Sequence, residues 1–571
     1  MPVAETREPR SVDTDILVVG SGAGGLTAAV TAAAGHVKAL VIEKGDQWGG
    51  TSAISGGGVW IPGGRALREQ GEDDPEEEGF RYLRGLTAAN VPDSRIRAFL
   101  KAGPQMLDWM ETNSHVRFQC LAYPDYHSEL PGGRDTYRTY LPLPLDGRRL
   151  GKDVESMRFT APELSLGGRI NIGPEESAVL SLRLPGWRKA LLRVLARYYL
   201  DLGSRLRFRR DLNLSWGNAL MGRLRLSMRD RGVPLWLRTR LVSLTSEGGR
   251  VTGAIVERRR GRAVERFAIR ASRGVILATG GFESNPDWRA DHLPKTPTPA
   301  WSAALGDNVG DGIAAGVAAG GAVMNMESAW RMTVYLVPGE ARARSAIFER
   351  SRPGSLMVNQ AGRRYLNEAS SYHAVASAMI ERDTPEAPTI PSYLIFDARY
   401  RRRYPVGPAL PLVPDWMLPA KARKILAKAA TLEELAGKIG VPAVALTKTV
   451  ARFNAHARRG EDPDFGRGQV AFDRAQGDPR VAPNPCLGAL DEAPYYALAL
   501  YPGDLGTNGG LVTDDQARVL TERGEPIPGL YAVGNTSASV MGHAYPGGGA
   551  TIAPAMTFAY LAARHAVGVN D

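Results

Sequence analysis

The 571-residue chain is predicted to be an α/β protein, and three features of its sequence carry that expectation. A strand–turn–helix–strand pattern opens it, over Asp15 to Glu43. Apolar runs that end in glycine recur far downstream, at Gly274–Phe282 and Pro528–Asn535. Between them the composition changes: about residues 325 to 500 carry more proline, aromatic side chains and charge. A chain this long exceeds one ordinary core, so two or three domains are expected.

The first element, Asp15-Ile-Leu-Val-Val19, is short and β-branched, as a buried strand requires. Gly20-Ser-Gly22-Ala-Gly24-Gly25 follows at once, Leu26–Gly35 reads as a small-residue helix, and Lys38–Ile42 is a second strand ending at Glu43. This is a βαβ unit with a G-x-G-x-x-G turn. Its glycines permit a tight turn and close approach of a pyrophosphate to the helix N-terminus, and Glu43 suits a ribose diol. A small-residue loop, Lys44 to Gly58, comes next, where a nicotinamide domain proceeds to another βα unit. Backbone amides in such a loop suit the isoalloxazine side of FAD. Further along, Leu241–Val256 reads as a hairpin with a Glu-Gly-Gly-Arg turn. Gly306–Gly312 leads into an alanine-rich helix, Thr507–Asp514 precedes a turn, and Thr551–Ala566 is a closing helix.

With these residues in view, the chain resembles the flavoprotein family of fumarate reductases, succinate dehydrogenases and ketosteroid dehydrogenases. The resemblance implies a Rossmann-like FAD-binding domain with an inserted α+β substrate-cap domain. Its parts would be residues 1–325, the cap at 326–500, and 501–571 returning to the FAD domain. The cofactor residues it implies are Gly20, Gly22, Ala23, Gly24, Glu43, Lys44, Gly50, Thr51, Ser52, Ser55, Gly56, Gly57, Val242, Thr279, Gly280, Asp311, Gly534, Asn535, Gly549, Thr551 and Ile552. Members with covalent flavin carry a histidine just before the loop threonine; Gly50 stands there, so FAD is expected to bind non-covalently.

Substrate class turns on Gly542-His543-Ala544-Tyr545-Pro546-Gly547-Gly548-Gly549. Fumarate reductase-like members place an arginine in this run to clamp a carboxylate. A tyrosine and an extra glycine replace it here, and the run resembles that of 3-ketosteroid Δ1-dehydrogenases. The Tyr545 hydroxyl and the Gly549 N–H would then hold a ketone oxygen, as in an oxyanion hole. Two further segments resemble the same family: Ala122–Glu129, which implies Tyr126, and Arg363–Tyr372, which implies Tyr372 as the base. A free phenol titrates near 10, so Tyr372 needs help, which Tyr126 would give by hydrogen bonding. Tyr123 and Phe348 are expected to line the substrate pocket, although most of the nineteen tyrosines are packing residues. The alternatives in the same fold are a 3-ketosteroid Δ4-dehydrogenase and a fumarate reductase-like enzyme.

Two cysteines, Cys120 and Cys486, lack metal-ligand spacing and suit a reducing cytoplasm. No metal site, signal peptide or transmembrane span is legible. The net charge of +11 is concentrated: residues 182 to 231 hold thirteen Lys or Arg against three Asp. Trp187–Leu202 has amphipathic spacing at Trp187, Leu191, Val194, Leu195, Tyr198 and Leu202. About 203–228 reads as an insertion that interleaves arginine with exposed aliphatics and Trp216. The basic segment about 183–231 is therefore expected to dock on the inner face of an anionic membrane, the alternatives being a subunit interface and a solvated basic excursion. Nucleic acid is not expected, since no binding module accompanies the patch. The remaining partners implied are a 3-ketosteroid substrate and an external electron acceptor, a quinone or similar.

Overall fold

A computed structural model describes residues 10–208 and 210–569. Arg209, counted in the basic segment, lies outside the described residues. The opening pattern folds as its spacing predicts. Strand β1 (Arg10–Val19) runs parallel to β2 (Ala39–Ile42), with Ile16 opposite Ala39 and Val19 opposite Ile42. Helix α1 (Ala23–Ala34) crosses between them and is buried along most of its length. Its close packing needs glycine: a Cβ at Gly25 would lie 2.1 Å from the Gly20 carbonyl oxygen. After β2 the small-residue stretch is not all loop, because it contains a one-turn helix, α2 (Gly50–Ile54).

The basic segment folds differently from the expectation for it. Helix α3 (Trp187–Tyr199) is amphipathic as spaced, with Val194 fully buried, but it ends before Leu202, which is exposed. From Arg210 to Met228 the segment is not exposed. Helix α4 (Trp216–Asp230) is buried along one continuous stretch, Gly217 to Leu224, and packs on α1 and α2. Its interleaved arginines are satisfied internally. Arg223 donates to the carbonyls of Leu143 (3.0 Å), His115 (2.8 Å) and Pro144 (2.8 Å). Arg210, just upstream, donates to those of Met157 (2.7 Å) and Val154 (3.1 Å). A guanidinium with most of its donors so paired tolerates burial. Trp216 is half-buried and donates to the Ile172 carbonyl at 2.8 Å.

The first sheet continues with β3 (Leu235–Trp236) beside β2 and the hairpin β4 (Thr239–Glu247) and β5 (Arg250–Arg260). Gly248 and Gly249 turn that hairpin with φ of 55° and 78°, which glycine adopts without strain. Strand β6 (Ala263–Leu277) pairs antiparallel with β5 and parallel with β1, and helix α5 (Asp311–Ala318) follows downstream.

A second, antiparallel sheet is built from later strands. These are β7 (Ala329–Tyr335), β8 (Ser355–Val358), β9 (Ser392–Phe396), β10 (Leu426–Ala429) and β11 (Tyr495–Thr507). The long β11 joins them, pairing with β9 through Tyr496–Leu500 and with β7 through Tyr501–Thr507. Helix α6 (Tyr372–Glu381) packs on β7 and β11. The chain then returns to the first sheet. Strand β12 (Pro526–Ala532) lies parallel to β6, with Val275 opposite Leu530, and helix α7 (Ile552–Val567) packs along α1. The first sheet thus has a parallel order β3-β2-β1-β6-β12, with the hairpin attached on β6. Among the described residues no helix is long and apolar enough to cross a membrane.

The segment leading to α6 is anchored by charge. Glu368, fully buried, accepts from Arg364 Nη2 at 2.7 Å, Arg467 Nη1 at 3.3 Å and the Met357 N–H at 3.0 Å. Burial raises its pKa, but the two guanidiniums and the N–H outweigh it and bring the carboxyl down to about 2. A depressed carboxylate stabilises the fold above its unfolded pKa and loses that contribution as pH falls through the folded one. Glu368→Gln is expected to cost on the order of 3 kcal/mol at neutral pH. The deficit should shrink as pH drops from the ordinary 4.5 toward 2. Urea unfolding of both proteins across that range checks it; a deficit independent of pH contradicts the assignment.

Candidate active site

The implied cofactor residues gather at the carboxyl ends of parallel strands, where open α/β sheets bind ligands. Gly20 follows β1, Glu43 follows β2, Thr279 and Gly280 follow β6, and Gly534 and Asn535 follow β12. Helix α1 starts at Gly22 with no side-chain cap and no acidic residue in its first turn. A Cβ on Gly22 would meet only Ser52 Oγ, at 3.6 Å, so space remains over the turn. A helix N-terminus left open in this way suits a diphosphate. The Glu43 carboxylate is oriented by the Ser21 hydroxyl (2.5 Å) and the Gly45 N–H (2.8 Å). Lys44 pairs with Asp311 at 2.5 Å, which joins the end of β2 to the start of α5.

The loop residues are equally fixed. Ser52 Oγ accepts from the Ala23 N–H at 3.1 Å, and Thr51 Oγ1 accepts from Asn308 at 3.1 Å. Ser55 Oγ donates to the Ser52 carbonyl and accepts from the Gly57 N–H. Gly56 and Gly57 lie against α4, where a Cβ on Gly57 would sit 2.7 Å from the Gly217 nitrogen. The helix expected to belong to an exposed, membrane-docking insertion is thus a support of this loop. Val242 falls at a bulge in β4, between Leu241 and Ser243, so its backbone leaves the ladder. The Thr279 N–H donates to Thr536 at 2.8 Å, Asn535 accepts from Trp330 at 3.0 Å, and Thr551 and Ile552 open α7. These features fit FAD.

The three implied tyrosines converge beside this cradle. The hydroxyls of Tyr126 and Tyr372 are 3.1 Å apart and hydrogen-bonded. Tyr545 stacks on Tyr126 with ring centres 5.4 Å apart, and stands edge-on to Tyr372 at 5.1 Å. Burial pushes the phenols of Tyr126 and Tyr372 well above the ordinary 10, and raises that of Tyr545 as well. All three are therefore neutral donors at rest. Gly549 has φ of 104°, and a Cβ there would lie 2.6 Å from the Val59 nitrogen, so only glycine fits at this position.

Buried polar groups hold Tyr126 in place. The Pro546 carbonyl accepts from the Tyr126 N–H at 2.9 Å and from the Tyr82 hydroxyl at 2.7 Å. Next to Tyr126, Asp125 accepts from Trp60 Nε1 at 2.7 Å and Arg138 Nη1 at 2.8 Å. Arg138, fully buried, also binds Asp74 at 2.6 Å. Tyr123 stands edge-on to Phe472 at 6.0 Å, and Phe472 in turn packs on Tyr126 at 4.7 Å. Phe348 is 43% exposed with the Arg352 guanidinium over its ring, outside the buried tyrosine cluster.

Sequence reasoning missed Trp330, Phe472 and His373, which pack on the tyrosines. Only His373 carried a signal, its place directly after Tyr372. An open depression of about 420 Å³ lined by Glu72, Glu78 and Arg134 contains none of the implied residues.

A dinucleotide cradle beside a buried cluster of phenols defines the class, a flavin-dependent oxidoreductase. Comparison with known proteins narrows it. The sequence profile of the FAD binding domain family matches residues 15–552. A 3-oxosteroid 1-dehydrogenase of Mycobacterium tuberculosis is 40% identical, over 96% of this chain and 98% of that one. The crystal structure of 3-ketosteroid Δ1-dehydrogenase from Sterolibacterium denitrificans, in complex with 1,4-androstadiene-3,17-dione, superposes with a TM-score of 0.92. It is 41% identical and covers 98% of this chain and 100% of its own. A 4-oxocyclohex-2-ene-1-carboxylate 5-dehydrogenase of Sinomonas cyclohexanicum is 36% identical over 98% of this chain and 94% of that one. The chain belongs to the FAD-binding flavoprotein family of the 3-oxosteroid 1-dehydrogenases, and its cofactor is FAD.

The Asp74–Arg138–Asp125 array should govern the stability of the site's support. Arg138→Met leaves buried Asp125 without its cation and Asp74 with Arg134 alone, and is expected to cost about 3 to 5 kcal/mol in denaturant unfolding. A loss below about 1 kcal/mol would show that the array contributes little.

Proposed function

We propose that this protein introduces the 1,2-double bond into 3-ketosteroids. The convergence of Tyr126, Tyr372 and Tyr545 on one glycine run carries the reading. The Tyr545 hydroxyl and the Gly549 N–H donate to the C3 ketone oxygen. This draws electron density from C2 and acidifies its proton. Tyr372 takes that proton, and Tyr126, hydrogen-bonded to it, shares the charge and passes the proton on. As the C2–H electrons form the C1–C2 double bond, C1 releases hydride. FAD, when bound, supplies the hydride acceptor. An external oxidant, a quinone or similar carrier, removes the electrons.

Other features support parts of this reading. The clamp run contains no arginine to pair a carboxylate at that position, which favours a neutral ketone over fumarate. Gly50 has φ of 54° and lies close to Gly22, a setting unsuited to a flavin-linking histidine, in keeping with non-covalent FAD. The second sheet, over β7 to β11, serves as the cap in this account, with division near residues 326 and 500. Tyr123 remains a pocket wall, and Phe348 contributes from the pocket's outer rim.

The protein is proposed to sit on the cytoplasmic face of a membrane. Leu192, Leu200, Leu202 and Leu206 are 68%, 79%, 67% and 90% exposed, beside exposed Arg188, Lys189, Arg193 and Arg207. That combination suits an anionic bilayer and a water-insoluble substrate. Because α4 is core, the docking surface is confined to residues 187–207.

Tyr545→Phe and Tyr372→Phe are expected to retain flavin absorbance and lose at least about 100-fold in steroid-dependent turnover. Full activity in the Tyr372 variant would remove it as the base. Replacing Leu200, Leu202 and Leu206 together by Ser should abolish co-sedimentation with anionic liposomes while the protein stays folded and yellow. Unchanged pelleting would sink the membrane proposal.

A further inference from the structure

His373 joins the two halves of the proposed chemistry. It directly follows Tyr372 in the first turn of α6. Its Nδ1 accepts from the Arg331 N–H of β7 at 3.2 Å, and its Nε2 donates to the His543 carbonyl at 2.9 Å. An Nδ1 facing a backbone N–H must accept, and an Nε2 facing a carbonyl must donate. The ring is therefore neutral and carries its proton on Nε2. Removal from water pushes its pKa down to about 4, in keeping with that form. The His543 carbonyl lies two residues before Tyr545, and the imidazole packs against the Tyr545 ring with centres 5.8 Å apart. The backbone beside the base thus holds the backbone beside the ketone clamp. Neighbouring contacts serve the same junction: Asn508 donates to the Gly542 carbonyl at 2.8 Å, and the Trp330 ring stands edge-on to Tyr545 at 5.2 Å. Unlike these two, His373 belongs to the helix that carries the base.

We propose that His373 is a positioning residue that sets the distance between Tyr372 and Tyr545, and with it the alignment of the base on the C2 proton. The proposal rests on the roles given to those tyrosines above. Leucine fills similar volume but makes neither bond; glutamine presents an acceptor and a donor at comparable spacing. In anaerobic stopped-flow reduction of the FAD-loaded protein by a 4-en-3-one steroid, His373→Leu should keep its flavin and reduce it about 30- to 100-fold more slowly. Deuterium at C2 should slow the variant more than it slows the wild type, because a displaced base impairs proton removal selectively. His373→Gln should recover to within about 5-fold of wild type. Wild-type rates in His373→Leu overturn the proposal, as does a slow variant with an unchanged C2 isotope effect and no recovery in His373→Gln. Tyr372→Phe in the same assay separates the two claims. If it is inactive while His373→Leu is unimpaired, only the positioning role falls; if it reduces flavin normally, the reading of the site falls with it.

Discussion

The Pro546 carbonyl is the point on which the site depends. It accepts from the Tyr126 N–H and the Tyr82 hydroxyl, and so ties two early segments of the chain to the late glycine run. The tie is workable because its surroundings are dry and paired. Trp60 and Tyr82 are fully buried, Asp125 and Arg138 neutralise one another beside them, and Gly547 leaves no room for a side chain against Trp60. Buried charges that satisfy each other hold geometry more firmly than they add net stability. The result is a fixed spacing between Tyr126 and Tyr545, into which Tyr372 is brought by the second sheet and α6.

The same burial shapes the chemistry. Three phenols removed from water all resist ionisation. That suits Tyr545, whose task in the proposed reaction is to donate a hydrogen bond. It burdens Tyr372, whose task in that proposed reaction is to accept a proton, so that a base of this kind would work as one of a pair. In the proposed reaction its hydrogen-bonded neighbour would spread the developing charge, and the polarised ketone would lower what the base must achieve. Positioning therefore matters more than the resting pKa of any one phenol.

How much of this was legible in the sequence follows from how local each signal is. The βαβ unit, the Glu-Gly-Gly-Arg hairpin and the closing helix rest on short periodicities and on turn glycines, and they appear where expected. The meeting of Tyr126, Tyr372 and Tyr545 came from motif resemblance, since nothing in their spacing along the chain brings them together. Helix α4 was misread for a physical reason. Arg223 and Arg210 find carbonyls on distant segments, and a buried arginine with such partners looks in sequence like a solvated one. The amphipathic spacing of α3 was sound, but Leu202 belongs to the exposed surface beyond its end. Trp330 and Phe472 left no mark because aromatic packing across elements has no sequence period.

The central claim is that a ketone clamp and a tyrosine base direct FAD toward the saturated ring of a 3-ketosteroid. Anaerobic titration of the FAD-loaded protein with androst-4-ene-3,17-dione tests it most directly. The account predicts bleaching of the oxidised flavin, with the 1,4-dien-3-one formed in equal amount. Flavin that stays oxidised with the steroid, yet is reoxidised by fumarate after chemical reduction, would contradict it.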